Sequence, residues 1–142
     1  MLKSWPEGEG VIYDLGLCYE LMGAHKQAVI QYENYLSFLE SKEIESLNNP
    51  VNSIAKGIVL TRLGRKEEGM ETGRRGFELD SSYNYAFAQL LAVQEYPEQA
   101  LHHLEIAFAN GYKDLRAIKM NLELSSLKND ERFLRLMEQY FN

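Results

Sequence analysis

Cysteine is nearly absent from this sequence: Cys18 is the only one in 142 residues. A lone thiol forms no internal disulfide, so a disulfide-held secreted module is excluded. Proline is almost as scarce, at three residues, which leaves room for long helices. No apolar run reaches the roughly 18 residues that a membrane-crossing helix needs. The first ten residues, Met1 to Gly10, contain no apolar stretch of signal-peptide length. The expected location is therefore the cytoplasm by default, or the periplasm or envelope if a signal has been removed. Positive charge is in deficit, with a formal net charge of -6. An acidic chain gains nothing from counterion release on a phosphate backbone, so nucleic acid is not an expected partner.

Motifs that carry chemistry are missing as well. The chain has no G-x-x-x-x-G-K-[ST] loop, no G-x-S-x-G elbow and no H-E-x-x-H pair. Its three histidines are His25, His102 and His103. The last two are adjacent, so on a helix they point in different directions and cannot chelate one ion together. Glu40, Glu43 and Glu45 lack the Asp/Asn-Gly loop spacing of a calcium site and read as a solvated helix face. Cys18 follows Leu17 in a segment apolar on several sides, and it reads as a buried small hydrophobe. No catalytic residue, cofactor or metal ligand is expected, and an enzyme ranks last among the functions considered.

What the sequence does contain is self-similarity. Gly16 is followed by Gly23 after seven residues and by Ala28 after twelve. Gly57, Gly64 and Gly69 repeat the same spacings, and Ala88, Glu95 and Ala100 do so again. Segments 10–22, 52–63 and 83–94 carry apolar residues at helical period and end at Gly23, Gly64 and Tyr96-Pro97. Glycine suits the residue just past a helix, and proline suits the first turn of the next one. Segments 25–41, 66–79 and 97–110 are helical again, so each unit is predicted to be a helical hairpin. Gly16 opposite Ala28 would let its two helices approach closely.

These residues resemble the tetratricopeptide repeat, whose signature is W-x2-L-G-x2-Y followed by A-x3-F on a period of about 34. The first unit reads Ile12-x2-Leu15-Gly16-x2-Tyr19, then Ala28-x3-Tyr32. The second reads Gly57-x2-Leu60, then Leu63-Gly64-Arg65-Lys66-Glu67-Glu68-Gly69, ending at Leu79-Asp80. The third reads Ala88-x2-Leu91, then Ala100-x3-Leu104-x2-Ala107. Leu124-Ser-Ser-Leu127-Lys-Asn-Asp-Glu-Arg132-Phe133 resembles an L-x-x-L-x-x-D-x-R-F ending of bacterial members. The resemblance implies an all-α fold: a right-handed superhelical stack of about three hairpins with a C-terminal capping helix, an α-solenoid. Its divisions would be an irregular lead 1–8, repeats 9–42, 50–80 and 81–112, an extended linker 43–49, and a capping segment 113–142. Lys56 departs from the family pattern, standing where an apolar residue is usual.

Function follows from the same resemblance. The first helices of such repeats line a concave groove that receives peptides. Its positions here would be Tyr13, Leu17, Glu20, Ile54, Ile58, Thr61, Arg62, Tyr85, Gln89 and Ala92. The Lys/Asn/Arg carboxylate clamp of one branch is not expected, because Tyr13, Leu17, Ile54 and Ile58 occupy the comparable positions. An apolar, aromatic groove with one arginine suits a segment with apolar anchors. The implied function is a non-catalytic module or scaffold binding a protein or peptide, with a dedicated acidic chaperone as the alternative. Packing of the ten side chains on one another or on the tail stands beside the groove reading. Left uncovered, they would favour a homo-oligomer.

Three further features remain. Asn129 or Asp130 is placed to cap a last helix, on which Phe133, Met137, Tyr140 and Phe141 form one apolar stripe. Gly69, Gly73 and Gly76 leave one helical face bare, expected to pack against Tyr83, Tyr85 or Phe87. Arg62, Arg65, Lys66, Arg74 and Arg75 concentrate positive charge, either as a solvated face or as a surface for an acidic segment.

Overall fold

Local chemistry sets where the helices stop. In the computed structural model, which describes residues 10–43 and 49–141, Gly23, Gly64 and Gly111 have positive φ, and Glu95 joins them at φ 68°. Each lies just past a helix and closes it with the same pair of bonds. Ala24 N–H donates to Tyr19 O, Arg65 to Leu60 O, Tyr96 to Leu91 O and Tyr112 to Ala107 O, at 2.9–3.0 Å. The residue before each donates to a carbonyl three back. This is the Schellman arrangement, which satisfies carbonyls that a helix end would otherwise leave without partners.

The resulting elements are α1 Gly10–Leu21, α2 His25–Glu43, α3 Pro50–Arg62, α4 Lys66–Leu79, α5 Asn84–Val93, α6 Pro97–Ala109 and α7 Leu115–Met120. A 3-10 turn, Ser125–Leu127, and α8 Glu131–Phe141 follow. All regular structure among the described residues is helical. At the start of α3, Asn49 Oδ1 accepts from Asn52 N–H and Pro50 occupies the first turn, where its missing N–H costs nothing. The expected lead 1–8 lies outside the described residues, as does most of the expected linker 43–49.

Packing follows chain order. α1 packs on α2, α3 on α4 and α5 on α6, while α2, α3 and α5 join the hairpins and α8 packs on α6. The second hairpin is the tightest. A Cβ on Gly57 would stand 2.6 Å from Gly69 O and 3.1 Å from the Gly73 backbone. Two helices thus meet backbone to backbone, which only glycine permits. The bare glycine face of α4 therefore faces α3, with Leu90 beside Gly73, rather than Tyr83, Tyr85 or Phe87. Gly16 likewise makes room for the Tyr32 ring, 2.6 Å from where its Cβ would be, and not chiefly for Ala28.

Cys18 corrects another expectation, because it is exposed. Helix α1 is apolar around its circumference, yet only the side bearing Tyr13, Gly16 and Leu17 is buried. Val11, Leu15 and Met22 share the spacing of Cys18 on the opposite side and are exposed too. Lys56, the residue out of pattern, reaches Glu40 at 3.7 Å.

Candidate functional site

The chain does not simply end on α6. After α7, residues 121–127 run back across α1, α3 and α5 before α8 docks on α6. Leu124 and Leu127 are completely buried, and Glu123 is 8 % exposed. Burying each leucine contributes about 2 kcal/mol, but a buried carboxylate needs partners.

Glu123 finds them on two helices. The Tyr13 hydroxyl on α1 donates to Glu123 Oε2 at 2.6 Å, across 110 positions of sequence. Arg62, in the last turn of α3, donates from Nη2 to the same oxygen at 3.4 Å and from Nε to the Tyr13 oxygen at 3.2 Å. Arg62 Nη1 also approaches Glu20 Oε2 at 3.9 Å, and Glu20 accepts the Tyr32 hydroxyl. Tyr35 completes the setting, its ring 5.5 Å from that of Tyr13. The result is a phenol and a guanidinium converging on one carboxylate oxygen, with a second, half-exposed carboxylate steadying the guanidinium from behind.

Asn121 makes the corresponding contact on α5. Its Nδ2 donates to Tyr85 Oη at 2.9 Å and to Gln89 Oε1 at 3.1 Å, while its Oδ1 accepts from Leu124 N–H. Tyr85 is fixed by stacking on Tyr112, with ring centroids 4.1 Å apart.

Burial, then the adjacent Glu123 charge, pushes the Tyr13 pKa well above its ordinary value. Burial and the bond to Glu20 do the same for Tyr32. Burial opposes the charge on Arg62, but the neighbouring Tyr13 and Glu123 outweigh it and raise its pKa. Both phenols therefore stay protonated as donors and Arg62 stays cationic through the neutral range.

The ten residues predicted to line a groove separate into groups. Tyr13, Glu20, Arg62, Tyr85 and Gln89 form the polar network around residues 121–123. Leu17, Ile54, Ile58 and Ala92 are buried in the apolar core. Thr61 lies elsewhere, at the α3–α4 crossing, where its hydroxyl donates to Gly57 O and accepts from Gln94 Nε2. In this conformation the face is covered by the chain's own tail. Sequence reasoning missed Asn121 and Glu123; the signal available was an acidic residue set between Leu122 and Leu124. The basic cluster also divides: Arg62 points inward, Arg65 pairs with Glu68 at 2.9 Å, and Lys66 lies over the Tyr96 ring.

Among the described residues, no group of three or more His, Cys, Asp or Glu side chains is placed to hold a metal ion, and no helix is long and apolar enough to cross a membrane. Comparison with protein-family models, curated proteins and solved structures found no match to this chain.

Proposed function

We propose that the chain is a non-catalytic module of the tetratricopeptide type that holds a segment of another protein against the face built by α1, α3 and α5. One observation carries the reading. That face already holds a peptide segment, residues 121–127, through side chains from all three helices: Tyr13, Arg62, and Tyr85 with Gln89. A surface that sorts a carboxylate, an amide and two leucines within one short stretch has the makings of a peptide receptor.

Support for the repeat type comes from the hairpins. Each places a small residue, Gly16, Gly57 or Ala88, seven positions before a residue of positive φ. Identical caps at identical spacing are what a repeated unit requires. The right-handed superhelical stack belongs to this reading, with α8 covering the last hairpin.

A displayed peptide library, selected in parallel on the wild-type chain and on Glu123→Gln, tests it. Amide chemical-shift mapping of a selected peptide is expected to centre on Tyr13, Arg62, Tyr85 and Gln89. Shifts confined to the outer surfaces of α4 and α6, or no peptide selected by either protein, would reject the reading.

A further inference from the structure

The tail segment itself indicates what the face recognises. Asn121, Glu123, Leu124 and Leu127 are held, whereas Leu122 is 39 % exposed and Ser125 and Ser126 face solvent. Resting on the peptide-site reading above, we infer that the α1–α3–α5 face is a receptor for partner segments of the form N-x-E-L-x-x-L. Residues 121–127 are then an internal competitor that such a segment must displace.

The pocket for the acidic side chain has supports of its own. Arg62 also approaches Glu20, and Glu20 accepts from the Tyr32 hydroxyl, so the guanidinium keeps one carboxylate neighbour besides Glu123. Glu20 is 39 % exposed and keeps contact with water, whereas Glu123 relies on Tyr13 and Arg62. With the tail removed, the Tyr13 phenol and a face of the guanidinium would be left to water, and a carboxylate on an incoming segment would replace it with a charge-assisted acceptor.

The tail meets the helices it covers through side chains. The backbone bonds of this stretch are local, from Ser125 N–H to Leu122 O, Leu127 to Leu124 O and Lys128 to Ser125 O. α8 is anchored separately, with Phe108 packed on Phe141 at 5.1 Å and on Tyr140 at 5.9 Å. Release would expose Leu124 and Leu127, both fully buried, and open a loop between the buried Ile118 and α8. A tethered competitor of this kind acts at an effective concentration of order 1 mM, so the face would be selective for partners rather than open to any acidic peptide.

The test is a fluorescein-labelled peptide with the sequence of residues 118–128, titrated by anisotropy. Wild type, Glu123→Gln and the double variant Glu123→Gln/Arg62→Met are compared, each checked for helicity by circular dichroism. Loss of the internal charged contact is expected to tighten binding to Glu123→Gln about tenfold or more over wild type. The same peptide with its glutamate changed to glutamine is expected to bind that variant at least about tenfold more weakly. Arg62→Met should abolish this preference. Equal binding of the two peptides to Glu123→Gln, or no binding at all, overturns the inference. If library peptides bind the face but this one does not, only the inference fails and the peptide-site reading survives. Should Glu123→Gln lose the fold, hydrogen exchange on wild type carries the test. Saturating peptide must then deprotect amides 121–128 while α8 stays protected, and unchanged protection overturns the inference. A concentration-dependent dimer abolished by Glu123→Gln would make a second copy the occupant and overturn assignment to a separate partner.

Discussion

Glu95 holds φ at 68°, where the two preceding hairpin turns use Gly23 and Gly64. A side chain in the left-handed region costs about 1 kcal/mol or more. Glu95→Gly is therefore expected to stabilise the protein by about 1 kcal/mol, read from the urea midpoint at constant slope. The opposite holds at Gly57, where Gly57→Ala drives a methyl into the Gly69 carbonyl and is expected to cost about 2 kcal/mol or more. These turn positions were legible because the cause lies within a few residues. The exposure of Cys18 was not, because an evenly apolar α1 does not reveal which of its sides another helix will cover. Gly16 was read correctly as a close approach, but the ring that fills the space belongs to Tyr32 rather than Ala28, and composition does not distinguish them.

Among the elements, α8 depends on its first turn. Asp130 Oδ1 accepts from Arg132 N–H at 2.8 Å and pairs with the Arg132 guanidinium. The Arg132 side chain, then its backbone N–H, lower the Asp130 pKa to about 2. A carboxylate whose pKa is depressed on folding contributes stability above its unfolded pKa and loses it as pH falls through the folded one. Docking of α8 should weaken between about pH 4 and pH 2, and Asp130→Asn should flatten that response in thermal melts. His103, between α5 and α6, answers at milder acidity. Its Nδ1 donates to Asn84 Oδ1 at 2.8 Å, its ring meets Phe77 and Phe87 edge-on, and burial, then His102, lowers its pKa. The unfolded chain binds that proton more readily, so stability should decline as pH drops below about 6.5. Urea midpoints at neutral and mildly acidic pH, with His103→Gln as the control, check this.

At the scale of the whole molecule, the governing contact joins residues 110 apart. Tyr13→Phe leaves the buried Glu123 carboxylate one donor short and is expected to cost about 2 kcal/mol. In a double-mutant cycle with Glu123→Gln, the pair should show a coupling of about 1–3 kcal/mol, although one partner belongs to the first hairpin and the other to the tail. Independent effects would mean that the contact carries little energy. The boundaries of α1 to α6 were legible to within a residue or two, since periodicity and caps are local signals, whereas α7 was not set apart within the expected capping segment 113–142. Tyr13, Glu20, Arg62, Tyr85 and Gln89 meet at the polar network, because helical period sets them on the sides of α1, α3 and α5 that residues 121–123 cover. The occupant of that face was not legible: Glu123 reads as an ordinary surface acid until the chain returns to α1, and no spacing encodes that return.

Vectorial synthesis gives this closure a direction in time. A chain emerging from the ribosome presents Tyr13 first and Arg62 next, long before Glu123 exists to meet them. The early hairpins can pair as they appear, since their partners are adjacent. Their phenol and guanidinium would nevertheless wait, hydrated and receptive to an anion, until Glu123 has been made. Closure of the Tyr13–Arg62–Glu123 contact thus waits on residue 123, and a chain that has not yet reached it is the form most ready to take up an acidic neighbour.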